Sequence, residues 1–281
     1  MTALDAEFIT KMSPSLTMSQ TRHRVNIIRG WGIEEGSKLL ELGCGQGDCT
    51  AVLAAAVGPL GHVTAVDPGS LDYGSPMTLG QAQKCLKESP LGSVITFHQA
   101  DPIEFLQLHT KNYDAAILVH CIWYFSSPEV ISYTLQVLAK RVKRIYIAEY
   151  ALSSEQTAAM PHIQAVLTQA SLECRKEEST SNVRTVASPS KIREIADRVG
   201  LSVISESIYT PEADLEDGRW ETNMVLDEAF TKEVDNFVRD EREKGVVMAL
   251  RDATQAAVER IKEGRKGIRT MDVWVSVLEA K

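Results

Sequence analysis

Short apolar runs alternate with segments of helical spacing along the first half of the chain. The runs read as buried strands at Leu39–Leu40, His62–Val66, Val94–Gln99, Asp114–Val119 and Arg144–Tyr150. Amphipathic helices are predicted between them. Strands and helices that alternate in this way predict a parallel sheet that is covered on both faces.

The pattern changes after Ala151. Two stretches, at about 151–188 and 212–267, read as helical, and further strands are predicted at Leu201–Tyr209 and Ile268–Leu278. Phe230–Val238 and Leu250–Ile261 each carry an apolar stripe. We expect the two helical stretches to cap a substrate site inside one domain of residues 1–281. Dimer contacts and additional core are the alternatives.

Several helix starts carry local signals. Capping boxes are predicted at Thr17 with Gln20, Thr78 with Gln81, and Ser153 with Gln156. Ser188 followed by Pro189 predicts another start, because proline suits the first helical position. The first capping box predicts the start of an N-terminal helix at about 18–31. The helix that starts at Ser188 is expected to end at Gly200.

A glycine-rich turn follows the first strand. Gly43, Gly45 and Gly47 alternate, and the helix after them begins near Thr50. Glycines let a ligand approach the backbone, and helix N–H groups point toward it, although a plain tight turn is the alternative. A dinucleotide fingerprint needs a third glycine where this chain has Asp48.

With Glu41, the turn reads E-x-G-x-G-x-G and resembles motif I of class I S-adenosylmethionine (SAM)-dependent methyltransferases. The resemblance implies a Rossmann-like α/β fold with a seven-stranded, mostly parallel sheet, its last strand antiparallel, plus helical cap insertions. It also implies SAM as the cofactor. Glu41, Gly43, Cys44 and Gly45 would then surround its amino-acid part.

Acidic residues follow the next two strands. Asp67 is placed to accept hydrogen bonds from two ribose hydroxyls, although a turn or N-cap acid is the alternative. By the resemblance, Asp101 would meet the adenine amino group. Pro68 and Pro102, the residues that follow these acids, are also expected at the cofactor. Arg24, on the N-terminal helix with Arg22 and His23, would reach the SAM carboxylate, unless these residues form a solvated basic face.

The fourth strand ends at His120, which aromatic residues 123–125 follow. The ligand crevice of an open α/β sheet lies beyond the carboxyl ends of its strands, so His120, Trp123 and Tyr124 are expected at its mouth. Phe125 reads better as core. His120 is the preferred general base and is also expected to contact the cofactor. Tyr124 is the second catalytic candidate and Glu149 the third.

The composition narrows the class of protein. A formal charge of −8 argues against a nucleic-acid partner. Five cysteines without C-x-x-C spacing indicate neither a metal site nor a disulfide framework. No run approaches 18 apolar residues, and the start does not read as a signal peptide. We therefore expect a cytoplasmic protein with no membrane partner; the sequence leaves its oligomeric state open.

Segments beyond motif I resemble a group of fungal small-molecule methyltransferases. They are GHVTAVDPG, DYGSP with TLGQAQ, SPLG, FHQADP, WYF and IAEYAL. The resemblance implies secondary metabolism and a small thiol substrate, with stepwise S-methylation of both thiols of a gliotoxin-type reduced epidithiodiketopiperazine. O-, N- or C-methylation of another metabolite is the alternative, as is a non-catalytic regulator with a SAM fold.

Overall fold

The alternation of strands and helices folds into a seven-stranded sheet flanked by helices. The structure is a computed structural model that describes residues 4–177, 179 and 181–281. The sheet has the order β3-β2-β1-β4-β5-β7-β6. Its strands are β1 (Lys38–Leu42), β2 (His62–Asp67), β3 (Ile95–Gln99), β4 (Ala115–Val119), β5 (Arg144–Tyr150), β6 (Leu201–Tyr209) and β7 (Val273–Ala280).

The pairing directions confirm the predicted fold class. β1 to β5 are parallel, and β7 pairs antiparallel with both β5 and β6. β7 thus lies between β5 and β6, and β6 forms the edge of the sheet. β4 is buried along its whole length, whereas most of β6 is exposed, as their contrasting residue patterns require.

Two groups of helices cover the sheet. α1, α2 and α3 pack on one another, as do α5, α6 and α8, and their apolar faces join the main core. The helices are α1 (Ala6–Thr10), α2 (Met18–Arg29), α3 (Asp48–Val57), α4 (Leu79–Glu88), α5 (Pro102–Leu108), α6 (Pro128–Leu138), α7 (Met160–Glu173), α8 (Pro189–Arg198), α9 (Asp217–Leu226), α10 (Glu228–Phe237) and α11 (Glu241–Glu259).

The two helical insertions form a separate layer. α7 packs on α9 and α11, and these helices surround their own apolar cluster, which includes Leu172, Val225, Phe230 and Val234. The stripe predicted on α11 is shifted by one position. Val247, Thr254 and Val258 are buried, whereas the predicted Leu250 and Ala257 are half-buried.

Two of the four predicted N-terminal signals are confirmed. Thr78 and Gln81 form the reciprocal capping box of α4, and the Ser188 side chain caps α8 ahead of Pro189. The third is confirmed in part, and the fourth is wrong. Thr17 occupies the N-cap of α2 but makes no side-chain capping bond, and residues 153–156 precede a 3₁₀ turn at Thr157–Ala159 rather than a helix.

The last strand begins at Val273, five residues later than the predicted start at Ile268. Four of residues 268–272 are buried, and the apolar Ile268 and Met271 lead into the apolar run of β7, which makes the segment read as strand. Their polar groups bond elsewhere: the Thr270 hydroxyl donates to the Leu215 carbonyl, and the Asp272 N–H donates to the Ser153 carbonyl. The segment is therefore a connection that joins the cap layer to the sheet.

Burial limits the reactivity of three of the cysteine thiols. Cys44, Cys49 and Cys121 are buried free thiols. Within the described ranges, no set of three or more His, Cys, Asp or Glu side chains could hold a metal ion. In the same part of the chain, no helix combines the length and apolarity that crossing a membrane requires.

Candidate active site

The candidate site lies at the carboxyl ends of β1, β2, β4 and β5. Strand order reverses between β1 and β4, and such a switch point opens a crevice above an α/β sheet. The glycine turn, Asp67 and His120 all follow strands that end at this edge. The site has one half over β1 and β2 and another over β4 and β5, which we call the donor half and the acceptor half.

The glycines of the donor half have different surroundings. Gly43 has φ +74°, and a Cβ there would lie 2.4 Å from the Cys121 Cβ. Gly47 is similarly closed by Leu86, at 2.5 Å. Gly45 has φ +52°, but no atom lies within 4 Å of its added Cβ. Gly43 and Gly47 therefore permit close packing within the protein, and Gly45 presents bare backbone to open space.

Asp67 fixes the shape of this turn. Its Oδ2 accepts from the Gly45 N–H at 2.8 Å, and its Oδ1 accepts from the Gly69 N–H at 2.8 Å. On the other side, Gln83 of α4 donates to the Gly45 carbonyl at 2.8 Å. Asp67 is thus more than a turn acid, because it joins two loops. Each oxygen retains lone-pair capacity for a ligand hydroxyl.

Glu41 is buried beneath the turn. Its Oε2 accepts from the Thr50 hydroxyl at 2.6 Å, which joins β1 to α3. Burial raises the pKa of Glu41 to about 7, with a smaller contribution from the Asp67 carboxylate. The side chain supports the glycine turn from below, so any contact with a ligand would have to be indirect.

The two arginines of α2 have different environments. Arg22 forms a half-exposed ion pair with Asp214, at 3.3 Å. The Arg24 Nη1 atom is buried and has no hydrogen-bond partner among the described residues. Burial opposes the Arg24 charge, but the carboxylates of Asp217 and Asp48 outweigh this and raise its pKa. Arg24 is therefore a charged group with a free donor, as a ligand carboxylate would need.

The remaining donor-side candidates lie around the ends of β2 and β3. Pro68 is exposed directly after β2. Asp101 is exposed and caps α5, a helix that the sequence analysis missed, by accepting from the Ile103 and Glu104 N–H groups through Oδ1. Oδ2 of Asp101 makes no such bond. Pro102 is buried at the first turn of α5, and Cys44 is buried behind Gly43.

His120 forms the floor of the acceptor half. Its Nε2 lies 2.9 Å from the Nε2 of His23, and its Nδ1 lies 3.5 Å from Oε1 of Glu149. The carboxylate favours a proton on Nδ1, so His23 is the donor between the two rings. Burial lowers the pKa of both histidines, although Glu149 partly opposes this for His120. His120 is therefore a neutral ring whose two nitrogens both face protein.

The aromatic run after β4 divides between core and surface. Trp123 was expected at the crevice mouth, but it is buried, and its Nε1–H donates to the Ala187 carbonyl at 2.9 Å. Phe125 is partly buried against the core, as expected. Tyr124 is 44% exposed and stays available to a ligand.

Cap helix α9 adds groups that sequence reasoning missed. Asp217 accepts from the Tyr150 hydroxyl at 2.9 Å and from Gln20 Nε2 at 2.7 Å, so it ties α9 to β5 and α2. Burial, with the nearby Asp217 carboxylate, raises the pKa of Glu221 to about 7. The buried ring of His162, on α7, packs edge-on against Tyr150 with centroids 5.0 Å apart.

No local motif marks these three residues. Asp217 and Glu221 are four positions apart on an amphipathic helix, a spacing that normally indicates a solvated face. His162 lies in a segment whose apolar neighbours predict only packing. Their proximity to Tyr150 depends on the tertiary fold.

The two halves suit different ligand groups. The donor half offers bare backbone at Gly45, the Asp67 carboxylate and the free donor of Arg24. These groups fit a ligand with a ribose and a carboxylate, such as SAM. The acceptor half offers a neutral histidine pair, an exposed tyrosine and two cap carboxylates.

Comparison with known proteins shows that the chain is similar to methyltransferases. Residues 39–144 match a family model described as a methyltransferase domain. The methyltransferases phomM' and phomM of Diaporthe leptostromiformis are each 29% identical to this chain, over 86% of it and 73% of each relative.

Solved structures extend the likeness to the whole fold. A cyclopropane-fatty-acyl-phospholipid synthase-like protein from Lactobacillus casei ATCC 334 is 27% identical, with a TM-score of 0.83 over 98% of both chains. Mycolic acid cyclopropane synthase CmaA1, solved with SAH, shares the fold at 13% identity and a TM-score of 0.55, over 98% of this chain and 94% of that one. Together, the domain match and the whole-chain likeness support SAM-dependent methyltransferase activity on a small molecule, on the Rossmann-like fold that class I methyltransferases share.

Proposed function

We propose that the protein is a class I SAM-dependent methyltransferase and that it methylates thiol sulfurs of a small natural product. The substrate we propose is a gliotoxin-type reduced epidithiodiketopiperazine, whose two thiols are methylated in turn. The resemblance of the sequence segments to fungal small-molecule methyltransferases supports this substrate. The observation that carries the choice of sulfur is the weakness of the bases in the acceptor half.

Several donor-half residues would hold the cofactor. Arg24 would bind its carboxylate, the Gly45 backbone would border its amino-acid part, and Asp67 would accept from its ribose. Asp101 would reach the adenine amino group through its free Oδ2. When bound, SAM supplies a methyl group on a positively charged sulfur. The protein's task is then to place a nucleophile in line with that methyl group, and positioning of this kind accounts for much of such rate enhancements.

The available bases distinguish a thiol from a phenol. The pKa of Glu221 is about 7, and those of His120 and His23 lie below the ordinary histidine value. Proton transfer to a group of pKa 7 costs roughly 2 kcal/mol from a thiol of pKa about 8.5, and roughly 4 kcal/mol from a phenol of pKa about 10. Weak bases are therefore adequate for sulfur and poorly matched to oxygen.

N-methylation of an amine is the second candidate. Asp217 and Glu221 both lie on the cap side of the acceptor half, and their carboxylates would attract an ammonium group. The same charges would hold the amine protonated, however, and a protonated nitrogen has no lone pair to attack the methyl group. The cluster thus favours binding of an amine more than its reaction.

The test is methyl transfer followed by mass spectrometry. The purified enzyme and SAM are incubated with a reduced dithiol diketopiperazine, an amine analogue of it and a phenol analogue. We expect the dithiol to gain one and then two methyl groups, with a singly methylated intermediate at early times. Transfer to the amine or phenol without transfer to the dithiol would contradict the proposal. No transfer to any acceptor by a SAM-binding enzyme would favour a regulatory protein.

A further inference from the structure

His162 of the cap layer has one ring nitrogen that is bonded and one that is not. Nδ1 accepts a hydrogen bond from the Met271 backbone N–H at 3.0 Å. An accepting nitrogen carries the lone pair, so the proton of the neutral ring resides on Nε2. Burial lowers the pKa of His162 to about 4, which keeps the ring neutral at physiological pH. Met271 therefore fixes His162 as an Nε2–H donor.

That donor is buried without a partner. The His162 side chain is fully buried, and Nε2 makes no hydrogen bond to any described residue. A buried donor in this state destabilises a folded protein. The Asp217 carboxylate, which accepts from the Tyr150 hydroxyl and from Gln20 Nε2, makes no hydrogen bond to this donor. A donor left unpaired beside Tyr150, at the end of β5, lacks an acceptor atom that a bound ligand could supply.

The position of the ring places this donor in the acceptor half. His162 packs against Tyr150, the last residue of β5, and the Tyr150 ring in turn lies 4.4 Å from that of His120. Asp217, on the opposing cap helix, is close enough to influence the ring electrostatically. The N–H thus lies between the strand ends and the cap, away from the glycine turn.

We propose that the His162 Nε2–H binds a carbonyl oxygen of the methyl acceptor. The inference rests on the proposed function, which supplies an acceptor with amide carbonyls. A neutral N–H is suited to a neutral oxygen, whereas Asp217 and Glu221 would repel a ligand carboxylate. A thiol sulfur is only a weak hydrogen-bond acceptor, so the amide oxygen is the better partner. This contact would orient the diketopiperazine ring of the substrate so that its thiols face the donor half.

Two substitutions separate the two nitrogens of His162. In His162→Asn, the amide oxygen lies where Nδ1 was and still accepts from Met271, but the Nε2 donor is lost. In His162→Gln, the amide nitrogen replaces the Nε2 donor, but the Met271 N–H loses its partner. A carbonyl-binding role and a merely structural role therefore predict opposite rankings.

The experiment measures binding of the bis-methylthio diketopiperazine product to the SAH-saturated full-length enzyme by calorimetry. Binding of SAH and thermal unfolding are followed in the same variants. We expect His162→Asn to raise the product Kd about tenfold with little change in Tm or SAH affinity. His162→Gln should keep the product Kd within about threefold of wild type and lower Tm. In wild-type enzyme with ¹⁵N-labelled histidine, the His162 Nε2–H proton should move downfield when the product binds.

The outcomes separate the two proposals. Unchanged product affinity in His162→Asn, or a weaker affinity in His162→Gln than in His162→Asn, would overturn the carbonyl contact and leave Nε2 with a structural water. If wild-type enzyme binds the product but transfers no methyl group to the dithiol, only the proposed function is contradicted. If wild-type enzyme does not bind the product, both proposals are overturned.

Discussion

The donor half and the acceptor half of the site are built in different ways. The donor half consists of groups that are largely satisfied within the protein: both oxygens of Asp67 accept N–H groups, and Thr50 bonds Glu41. The acceptor half contains several buried polar atoms with no hydrogen-bond partner among the described residues, among them His162 Nε2, His23 Nδ1 and Gln20 Oε1; in the donor half, Arg24 Nη1 is such an atom. A preorganised half suits one invariant cofactor, and an unsatisfied half suits a partner that completes it.

The largest effects should come from the glycine turn. Gly43→Ala would place a Cβ against Cys121 in a left-handed backbone, so we expect it to lower the free energy of unfolding by roughly 2–4 kcal/mol and to remove SAM binding. The Cβ added by Gly45→Ala meets no protein atom, so this substitution should lower the free energy of unfolding by only about 1–2 kcal/mol. Its SAM affinity should nevertheless fall at least about a hundredfold, because the added Cβ would occupy the space proposed for the cofactor. That loss corresponds to a change of about 3 kcal/mol in the free energy of binding.

Chemical denaturation and calorimetry with SAM measure these two quantities. If Gly45→Ala retains wild-type affinity for SAM, the open space beside Gly45 is not where the cofactor lies. The donor half would then have to be placed elsewhere.

Loss of His120 should slow transfer without abolishing it. A thiol ionises partly unaided, so we expect His120→Ala to lower the rate at pH 7 by about ten- to a hundredfold, in the lower range for general-base assistance. Raising the pH to about 9 should recover much of the loss, because the thiol then ionises by itself. His120 has φ +51°, so His120→Asn, which suits that backbone, is the matched control.

Rates are measured as a function of pH for both variants. A loss that stays constant between pH 7 and 9 would show that His120 acts through structure and not through the acceptor's proton. Such a result would fit the observation that both of its nitrogens face protein groups.

Substitution of Asp67 should affect the binding of SAM and not that of the methyl acceptor. We expect Asp67→Ala to weaken SAM binding at least about tenfold, because a contact to a charged acceptor contributes roughly 1.5–3 kcal/mol. Since Asp67 also joins Gly45 to Gly69, part of that loss will come from the loop. Asp67→Asn can still accept one of the two N–H groups through its amide oxygen and should lose less affinity than Asp67→Ala. Asp101→Ala, at the exposed N-cap of α5, should have the smallest effect on affinity.

Calorimetry with SAM ranks the three variants. If Asp101→Ala weakens binding more than Asp67→Ala does, the assigned positions of ribose and adenine would be wrong.

Glu41 should change stability in a pH-dependent way. Its folded-state pKa of about 7 lies above the ordinary 4.5, so the folded protein binds this proton more tightly than the unfolded chain does. The stability contributed by the protonated group is therefore complete below about pH 4.5 and is lost as the pH rises to about 7. This difference corresponds to about 3 kcal/mol.

Glu41→Gln, which stays neutral, should then raise Tm at pH 8 by several degrees and leave it nearly unchanged at pH 4.5. The exposed Glu34→Gln serves as the matched control and should show no such dependence. A lower Tm for Glu41→Gln at pH 8 would mean that the buried carboxylate is stabilised in its charged form.

The donor half could be read from the sequence because its parts are local. The glycine turn, Asp67 and Asp101 each follow a strand that the apolar pattern reveals, and parallel strands bring their carboxyl ends to one edge. The positions of the parallel strands along the chain were predictable for the same reason. Helix α5 was missed although Asp101 and Pro102 carry its start signal, because the helix is only seven residues long.

The acceptor half could not be read in this way. His162, Asp217 and Tyr150 come from separate segments and meet only when the cap layer closes on the sheet. Trp123 was misplaced because an aromatic residue after a strand suits both a crevice and a core. Its bond to the Ala187 carbonyl, which depends on the path of the chain before α8, decides between them.

The most direct test of the account is the identity of the methylated atom. The enzyme is supplied with SAM labelled with ¹³C in the transferred methyl group and with the reduced dithiol diketopiperazine, and the product is examined by carbon NMR. The account predicts two successive methyl signals at the chemical shift of S–CH₃ groups, each coupled through sulfur to the ring carbon that bore the thiol. A methyl signal at the shift of an N–CH₃ or O–CH₃ group, with the thiols unmodified, would contradict it.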